Sequence, residues 1–208
     1  RNLVLGAIAA AALAASPGLV SSLRVPPGLM PPAEPVRIVR LVQPNAAQHL
    51  KWRDDMIGVF WERKLALTAD GPAAPPADLP PELDTVGAAP DLVIWPETSV
   101  PTLLASSGPA FAEMARAGGG ATLAAGIQRR GDGGRFHNAL AVVGPEGTLA
   151  DLYDKHYLVP FGEYMPAPGL FARVGIFGLA ARATGGYAPG PGPRLVDLGD
   201  AGRALPLI

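Results

Sequence analysis

The chain has 208 residues, which is enough for one domain with a hydrophobic core of its own. Its net charge of -1 gives no basic footprint for nucleic acid, and the absence of cysteine excludes disulfide bonds. Apolar residues make up 49% and charged residues 17%, and 26 glycines and 24 prolines separate strand-like apolar runs. This composition predicts a loop-rich globular domain that is low in charge.

The N-terminal part of the chain consists of an apolar segment and a proline-rich segment. Residues 3–15 are uncharged, but this run is shorter than the roughly 20 residues that span a bilayer. It is compatible with the h-region of a signal peptide, the end of a transmembrane helix or a buried alanine-rich helix. Residues 17–35 contain six prolines and predict a linker.

From residue 36 onward, hydrophobic periodicity alternates between strand and helix patterns. The predicted elements are strands at 36–43, 91–97 and 121–130, helices at 46–70 and 108–117, and hairpins at 136–155 and 194–208. This order predicts an α/β fold with a mixed sheet. Functional residues of such folds lie at the carboxyl ends of strands, and this rule selects Glu97 and the loop that begins at Lys155.

Glu97 directly follows an apolar strand and Pro96, whose ring fixes the geometry at the end of the strand. We expect the carboxylate to be buried at this position and to act as a general base. The alternative is a solvated loop residue or a helix cap, which is the commoner role of a single glutamate.

The segment YDKHYLVPFGEYMP, residues 153–166, holds the other two candidates. A buried lysine at position 155 can donate a hydrogen bond to a developing oxyanion. Glu163 lies eight residues later, in a loop shaped by proline and glycine, where it can orient Lys155. For either residue alone, the alternative is a surface ion pair.

Other polar residues are weaker candidates. Thr98 and Ser99 are interpreted as caps of the next helix rather than as nucleophiles. Asn138 begins a strand and is interpreted as structural. The histidines, at positions 49, 137 and 156, lack the spacing of metal ligands, and no glycine pattern indicates a phosphate loop. We therefore predict no metal site and no cofactor.

Several stretches, taken in order, resemble the carbon–nitrogen hydrolase (nitrilase) superfamily. They are VQPNAAQHLKW, PDLVIWPET, AAGIQRR followed by FHNALAVVGPEG, and YDKHYLVPFGEYMP, and the resemblance covers residues 36–208. Within the superfamily, the chain looks most like the membrane-bound acyltransferases of bacterial lipoprotein maturation. The resemblance implies an αββα sandwich that carries a Glu–Lys–Cys triad.

Carried over to this sequence, the resemblance implies that Glu97 is the general base and that Lys155 stabilises the tetrahedral intermediate. Glu163 then supports the site, whereas Trp52 occupies a family position without an assigned role. The nucleophilic cysteine of the family follows an apolar strand, and RALPLI at the end of the chain is similar to that strand. We therefore expect the sequence to stop just before its nucleophile and the chain alone to be inactive.

The resemblance also implies a reaction and a location. A fatty acyl chain would pass from a phospholipid to the N-terminal amine of diacylglyceryl-cysteine lipoproteins, through a thioester and without a cofactor. The enzyme would be a monomer of the bacterial inner membrane with its catalytic domain in the periplasm. Residues 1–16 would then end a transmembrane helix, and residues 169–183 would form a lipid-touching lid or a helix packed over the site.

Two alternatives remain open. One is a soluble amidase of the same superfamily, which would use the same triad on a small amide. The other is a catalytically inactive binding domain that keeps the fold and lacks the thiol.

Overall fold

A five-stranded mixed sheet organises the part of the chain that the computed structural model describes, which is residues 37–71, 87–164, 166 and 186–208. Its strands are β1 (Val39–Leu41), β2 (Leu92–Ile94), β3 (Thr122–Arg130), β4 (Phe136–Val143) and β5 (Leu149–Asp154). The helices are α1 (Asp54–Asp70) and α2 (Gly108–Gly118), and a two-stranded sheet contains β6 (Val196–Asp197) and β7 (Arg203–Ala204).

The large sheet combines parallel and antiparallel pairing. Its strand order is β1-β2-β3-β4-β5, with β1, β2 and β3 parallel to one another and β4 and β5 added as antiparallel neighbours. Parallel neighbours need a crossover connection, which α1 and α2 provide. The β4–β5 hairpin turns at Gly147, whose φ of 74° lies in the left-handed region. The predicted α/β fold with a mixed sheet is confirmed.

Both faces of the central strands are buried. On one face, Val93 and Leu123 pack with Phe111 and Met114 of α2. On the opposite face, the residues packed together are Leu92, Ala124, Val142, Tyr153, Val196 and Leu198. Burial on both faces explains why β2 and β3 have continuous apolar sequences rather than an alternating pattern.

Helix α1 begins later than the sequence predicts. The predicted start at residue 46 is wrong, because Asn45 has a φ of 48° and residues 47–53 form turns. Arg53 is extended, and the helix begins at Asp54, where two acidic residues favourably face the positive end of the helix dipole. Its predicted end at residue 70 is confirmed.

Three predictions fall outside the described residues. These are the transmembrane segment at 1–16, the linker at 17–35 and the lid or packed helix at 169–183. Within the described ranges, no helix has the length and apolar character to cross a bilayer.

The packing of β3 on α2 gives a stability prediction. Leu123 is fully buried and contacts Gly118, so Leu123→Ala should leave a cavity and lower the free energy of unfolding by about 2–5 kcal/mol. Urea unfolding followed by circular dichroism measures this loss. The exposed Leu149 is the matched control, and Leu149→Ala should cost no more than about 0.5 kcal/mol. Equal losses in the two variants would contradict the assignment of Leu123 to the core.

Candidate active site

The three predicted site residues meet at one edge of the large sheet. Glu97 follows β2, Lys155 follows β5, and Glu163 lies in the loop after Lys155. Because β4 runs against its neighbours, its first residues lie at this same edge, where Asn138 pairs with Gln128 of β3. The edge is formed by the carboxyl ends of the parallel strands, which is the usual place for a ligand site in such sheets.

A close backbone approach fixes the position of Glu97. The amide N–H of Ser99 donates to the carbonyl of Gly126 at 2.8 Å, and Thr98 adopts a left-handed φ of 48°. A Cβ at position 126 would lie 2.2 Å from the amide nitrogen of Thr98 and 2.6 Å from Cα of Glu97. Only glycine allows this approach, so Gly126 holds the turn that carries Glu97.

Lys155 lies between the two carboxylates. Its Nζ is 2.9 Å from Oε1 of Glu97 and 3.1 Å from Oε2 of Glu163, and only 6% of the residue is exposed. Burial opposes the charged form, but the hydrogen bonds and negative charges of Glu97 and Glu163 outweigh it and raise the pKa of Lys155. Lys155 is therefore an ammonium group at neutral pH.

Glu163 is held by its own loop as well as by Lys155. Its Oε2 accepts the backbone N–H of Val159 at 2.8 Å, and 13% of its side chain is exposed. Burial alone would raise the pKa of Glu163, but the Val159 amide, Asn138 and Lys155 together lower it. The glutamate is ionised, and the loop between Lys155 and Glu163 has a fixed shape.

Asn138 is a site residue that the sequence analysis interpreted as structural. Its Nδ2 donates to Oε1 of Glu97 and, at 2.9 Å, to Oε1 of Glu163. Its Oδ1 accepts the Thr98 hydroxyl at 3.4 Å, and the residue is 3% exposed. The sequence does offer one signal, a polar amide side chain in an otherwise apolar strand. Which residues this side chain faces, however, depends on the strand register, and the sequence does not show that register.

Two expectations about the Glu97 turn are wrong. Glu97 is not buried, since 48% of its side chain is exposed, because the chain leaves the sheet after Pro96. Thr98 and Ser99 cap no helix, because the next helical turn starts at Leu104. The Ser99 hydroxyl instead donates to the Gly126 carbonyl at 3.4 Å.

Glu97 borders an apolar cavity of about 230 Å³ on the face of the sheet that β6 and β7 cover. Its walls include the side chains of Ile94, Leu140, Val196, Leu198 and Ile208. The site therefore combines one accessible carboxylate, one buried ammonium group and an apolar chamber. Such a set can accept a proton, stabilise an oxyanion and hold an apolar substrate group. Among the described residues, no cluster of three or more His, Asp or Glu side chains could hold a metal ion.

The lowered pKa of Glu163 predicts how stability depends on pH. A depressed carboxyl pKa stabilises the fold above the ordinary value of 4.5, and this contribution is lost as the pH falls through the lowered pKa. Glu163→Gln should therefore lower the free energy of unfolding by about 1–3 kcal/mol at pH 7, because charge-assisted hydrogen bonds are lost. The difference from the wild type should shrink at about pH 3, well below that ordinary value.

Urea unfolding at both pH values tests this linkage. Glu146→Gln, in the exposed β4–β5 turn, is the matched control and should have little effect at either pH. A Glu163→Gln deficit that is the same at pH 7 and pH 3 would show that the carboxylate charge does not contribute.

Comparisons with known proteins connect this site to named relatives. No family model matches the chain. An apolipoprotein N-acyltransferase from Sinorhizobium fredii is 36% identical over 209 residues, which cover 97% of this chain and 37% of that protein. Another, from Sinorhizobium medicae, is 34% identical over 184 residues, which cover 86% of this chain and 33% of that protein.

Solved structures are more distant. An N-terminal amidase with an Asn-Glu-Ala peptide is 20% identical, with a TM-score of 0.40, and the match covers 59% of this chain and 29% of the amidase. A carbon–nitrogen hydrolase from Helicobacter pylori G27 is 15% identical, with a TM-score of 0.37 and coverage of 59% and 40%. At these values, the likeness carries no argument about function.

The sequence relatives are much longer than this chain, which spans 37% and 33% of the two described above. The similarity nevertheless runs along nearly the whole of the 208 residues and includes the segments that carry Glu97, Lys155 and Glu163. Along nearly its whole length, the chain is therefore similar to one part of the apolipoprotein N-acyltransferases.

Proposed function

We propose that this chain is the catalytic region of an apolipoprotein N-acyltransferase. The reaction moves a fatty acyl chain from a phospholipid ester to the N-terminal amine of a diacylglyceryl-cysteine lipoprotein. The observation that carries the proposal is the Lys155 ammonium group between Glu97 and Glu163, next to an apolar cavity. The similarity to apolipoprotein N-acyltransferases suggests the identity of the substrates.

Glu97 is the general base of the proposed reaction. Its carboxylate is half exposed, so it can meet a substrate group, while Lys155 and Asn138 hold one of its oxygens. Lys155 supplies the oxyanion contact, because a buried ammonium group stabilises negative charge more strongly than a solvated one. Glu163 contacts Lys155 and Asn138 from the other side and positions them.

The reaction also needs a thiol, because a thioester remains reactive toward an amine. The 208 residues contain no cysteine, so the proposal assigns the nucleophile to residues outside this sequence. The nearby hydroxyls do not replace it, since the Thr98 hydroxyl donates to Asn138 and that of Ser99 to Gly126. Ile208 lines the same cavity as Glu97, so a thiol adjoining this wall would face the base.

The proton and bond changes balance over two half-reactions. Glu97 takes the thiol proton, and the thiolate forms a C–S bond to the ester carbonyl while Lys155 contacts the oxyanion. The C–O bond then breaks, and the lysophospholipid oxygen leaves with the proton from Glu97. In the second half, the lipoprotein amine attacks the thioester, Glu97 takes the amine proton, and the C–S bond breaks. The released thiolate recovers that proton.

The resemblance favours an enzyme of the bacterial inner membrane whose catalytic domain, residues 36–208, faces the periplasm. Residues 1–16 would then end a transmembrane helix and residues 17–35 would form a linker to the domain. A monomer is the proposed state, as the resemblance implies.

Substitution of the two central residues tests this function. In the full-length product of the gene that encodes this chain, Glu97→Gln and Lys155→Ala should each lower acyl transfer by at least about 100-fold. Mass spectrometry of a diacylglyceryl-cysteine peptide after incubation with phospholipid measures the added acyl group. Arg53→Met, which removes an exposed charge just before α1, is the control and should retain wild-type activity. Activity near that of the wild type in either site variant would refute the assignment.

A further inference from the structure

All three lysines of the chain lie around the turn that carries Glu97. Lys155 contacts the Glu97 carboxylate, Lys51 Nζ donates to the Glu97 backbone carbonyl at 3.0 Å, and Lys64 Nζ donates to the Ser99 carbonyl. The sequence has 17 lysine and arginine residues together, so 14 of the 17 cations are arginines. The reaction proposed above uses only Lys155, which leaves Lys51 and Lys64 without a role.

Lys51 and Lys64 line a second pocket at the same edge of the sheet. One wall follows β1 and includes Gln43 and Gln48, and the opposite wall is the turn from Pro96 to Pro101. The floor comes from the apolar side of α1, with Ile57 and Phe60. The pocket therefore lies just beyond the carboxyl ends of two adjacent parallel strands, the position at which α/β sheets bind ligands.

Lys64 has an unusual environment for a lysine. It is 6% exposed, and its Nζ lies 5.5 Å and 5.3 Å from the ring centroids of Trp61 and Trp95. This Nζ donates a hydrogen bond to the backbone carbonyl of Ser99. Within the described ranges, no carboxylate forms a salt bridge with it. An ammonium group has three N–H donors, so Lys64 retains donor capacity for a bound anion.

The charge of the pocket favours the same kind of ligand. No acidic side chain lines the pocket among the described residues, whereas two lysines and two glutamines do. Burial and, to a smaller extent, the nearby charge of Lys51 together lower the pKa of Lys64 to about 8. Burial also lowers the pKa of Lys51, although the charge of Glu97 partly opposes this effect. An anion in the pocket would relieve both penalties by stabilising the ammonium forms.

The size and position of the pocket narrow the choice of anion. Its volume of about 100 Å³ is several times the ~10–15 Å³ that one water molecule requires, so a small tetrahedral anion fits. The pocket adjoins the proposed base, because Pro96 and Thr98 line it and Lys51 donates to the backbone carbonyl of Glu97 between them. In a glycerophospholipid, only the short glycerol unit separates the phosphate from the reacting ester. A phosphate in this pocket would therefore keep the ester close to Glu97.

We propose that the Lys51–Lys64 pocket binds the phosphate group of the phospholipid acyl donor. This inference rests on the proposed function and adds the group by which the donor is recognised. Lys64 forms the inner contact and Lys51 the outer contact, and Ile57 and Phe60 form the apolar floor beside them. The ester then lies across the 97–99 turn, within reach of Glu97 and Lys155.

Donor selectivity of the full-length gene product in detergent micelles tests this role. Two donors with identical acyl chains are compared, a phospholipid and an uncharged diacylglycerol. Lys64→Met should lower kcat/KM for the phospholipid by about tenfold or more, as expected when a charge-assisted hydrogen bond is lost. The kcat/KM for diacylglycerol should change less than twofold, because that donor has no phosphate. Arg53→Met is the matched charge-removal control and should alter neither value.

Tryptophan fluorescence gives a readout that does not depend on catalysis. Trp52 lines the pocket, and the rings of Trp61 and Trp95 flank Lys64 Nζ. Glycerophosphoethanolamine should produce a saturating change in emission that Lys64→Met and Lys51→Met each weaken about tenfold or more. If Lys64→Met does not fold, the half-buried Lys51→Met decides the result.

The outcomes separate this inference from the proposed function. An equal loss with both donors would overturn the phosphate site, while acyl transfer that depends on Glu97 would still support the function. A response to inorganic phosphate without one to the glycerophosphodiester would show a free-anion site and overturn the donor assignment. If the wild type transfers no acyl group from either donor, the proposed function fails, and the fluorescence titration alone decides whether the pocket recognises the headgroup.

Discussion

The contact of the Lys155 ammonium group with two carboxylates is the interaction on which the candidate site depends. Removing an ammonium group from water costs several kcal/mol unless opposite charges and hydrogen bonds replace the lost hydration. Glu97 and Glu163, 2.9 Å and 3.1 Å away, provide that compensation. A change at either glutamate therefore leaves a buried charge only partly compensated, so the three side chains form one unit.

The sheet makes this arrangement possible because it brings distant segments to one edge. Glu97 and Lys155 are 58 residues apart in sequence, and they meet because β2 and β5 end on the same side. Gly126 in β3 then allows the Glu97 turn to lie against the sheet, and Asn138 in β4 links the two carboxylates. Every strand from β2 to β5 therefore places or supports a residue of the site at this edge of the sheet.

The sequence predicts the members of the site better than it predicts their surroundings. Glu97 and Lys155 follow strands, and the loop signature after Lys155 includes Glu163, so strand boundaries and local motifs were sufficient to select them. The contacts of Asn138 depend on the register of β4 against β3, which no local pattern encodes. The exposure of Glu97 depends on how the chain turns after Pro96, which is a tertiary property. The late start of α1 has the same kind of cause, because the left-handed Asn45 and the turns after it override helical periodicity.

Arginine and lysine side chains have different roles in this part of the fold. Two aspartates of β5 are each held by two hydrogen bonds from an arginine of another segment: Asp154 by Arg129 of β3, and Asp151 by Arg194, which precedes β6. The hydrogen bonds from Arg194 are the main reason that the pKa of Asp151 falls to about 2. Both members of this pair are therefore charged at neutral pH. A planar guanidinium group suits such fixed two-point contacts, whereas the compact ammonium group of lysine directs its donors to several partners.

Around the Glu97 turn, that difference has a chemical consequence. The Lys155 ammonium group donates to two glutamates. An arginine that used its planar guanidinium group to bind one carboxylate at two points would not make both of these contacts. Lys64, with a pKa of about 8, can change its charge near neutral pH, whereas arginine remains charged throughout the physiological range. Lysines at this edge therefore provide positive charge that responds to the ligand, and the arginines at β5 provide charge that only maintains the fold.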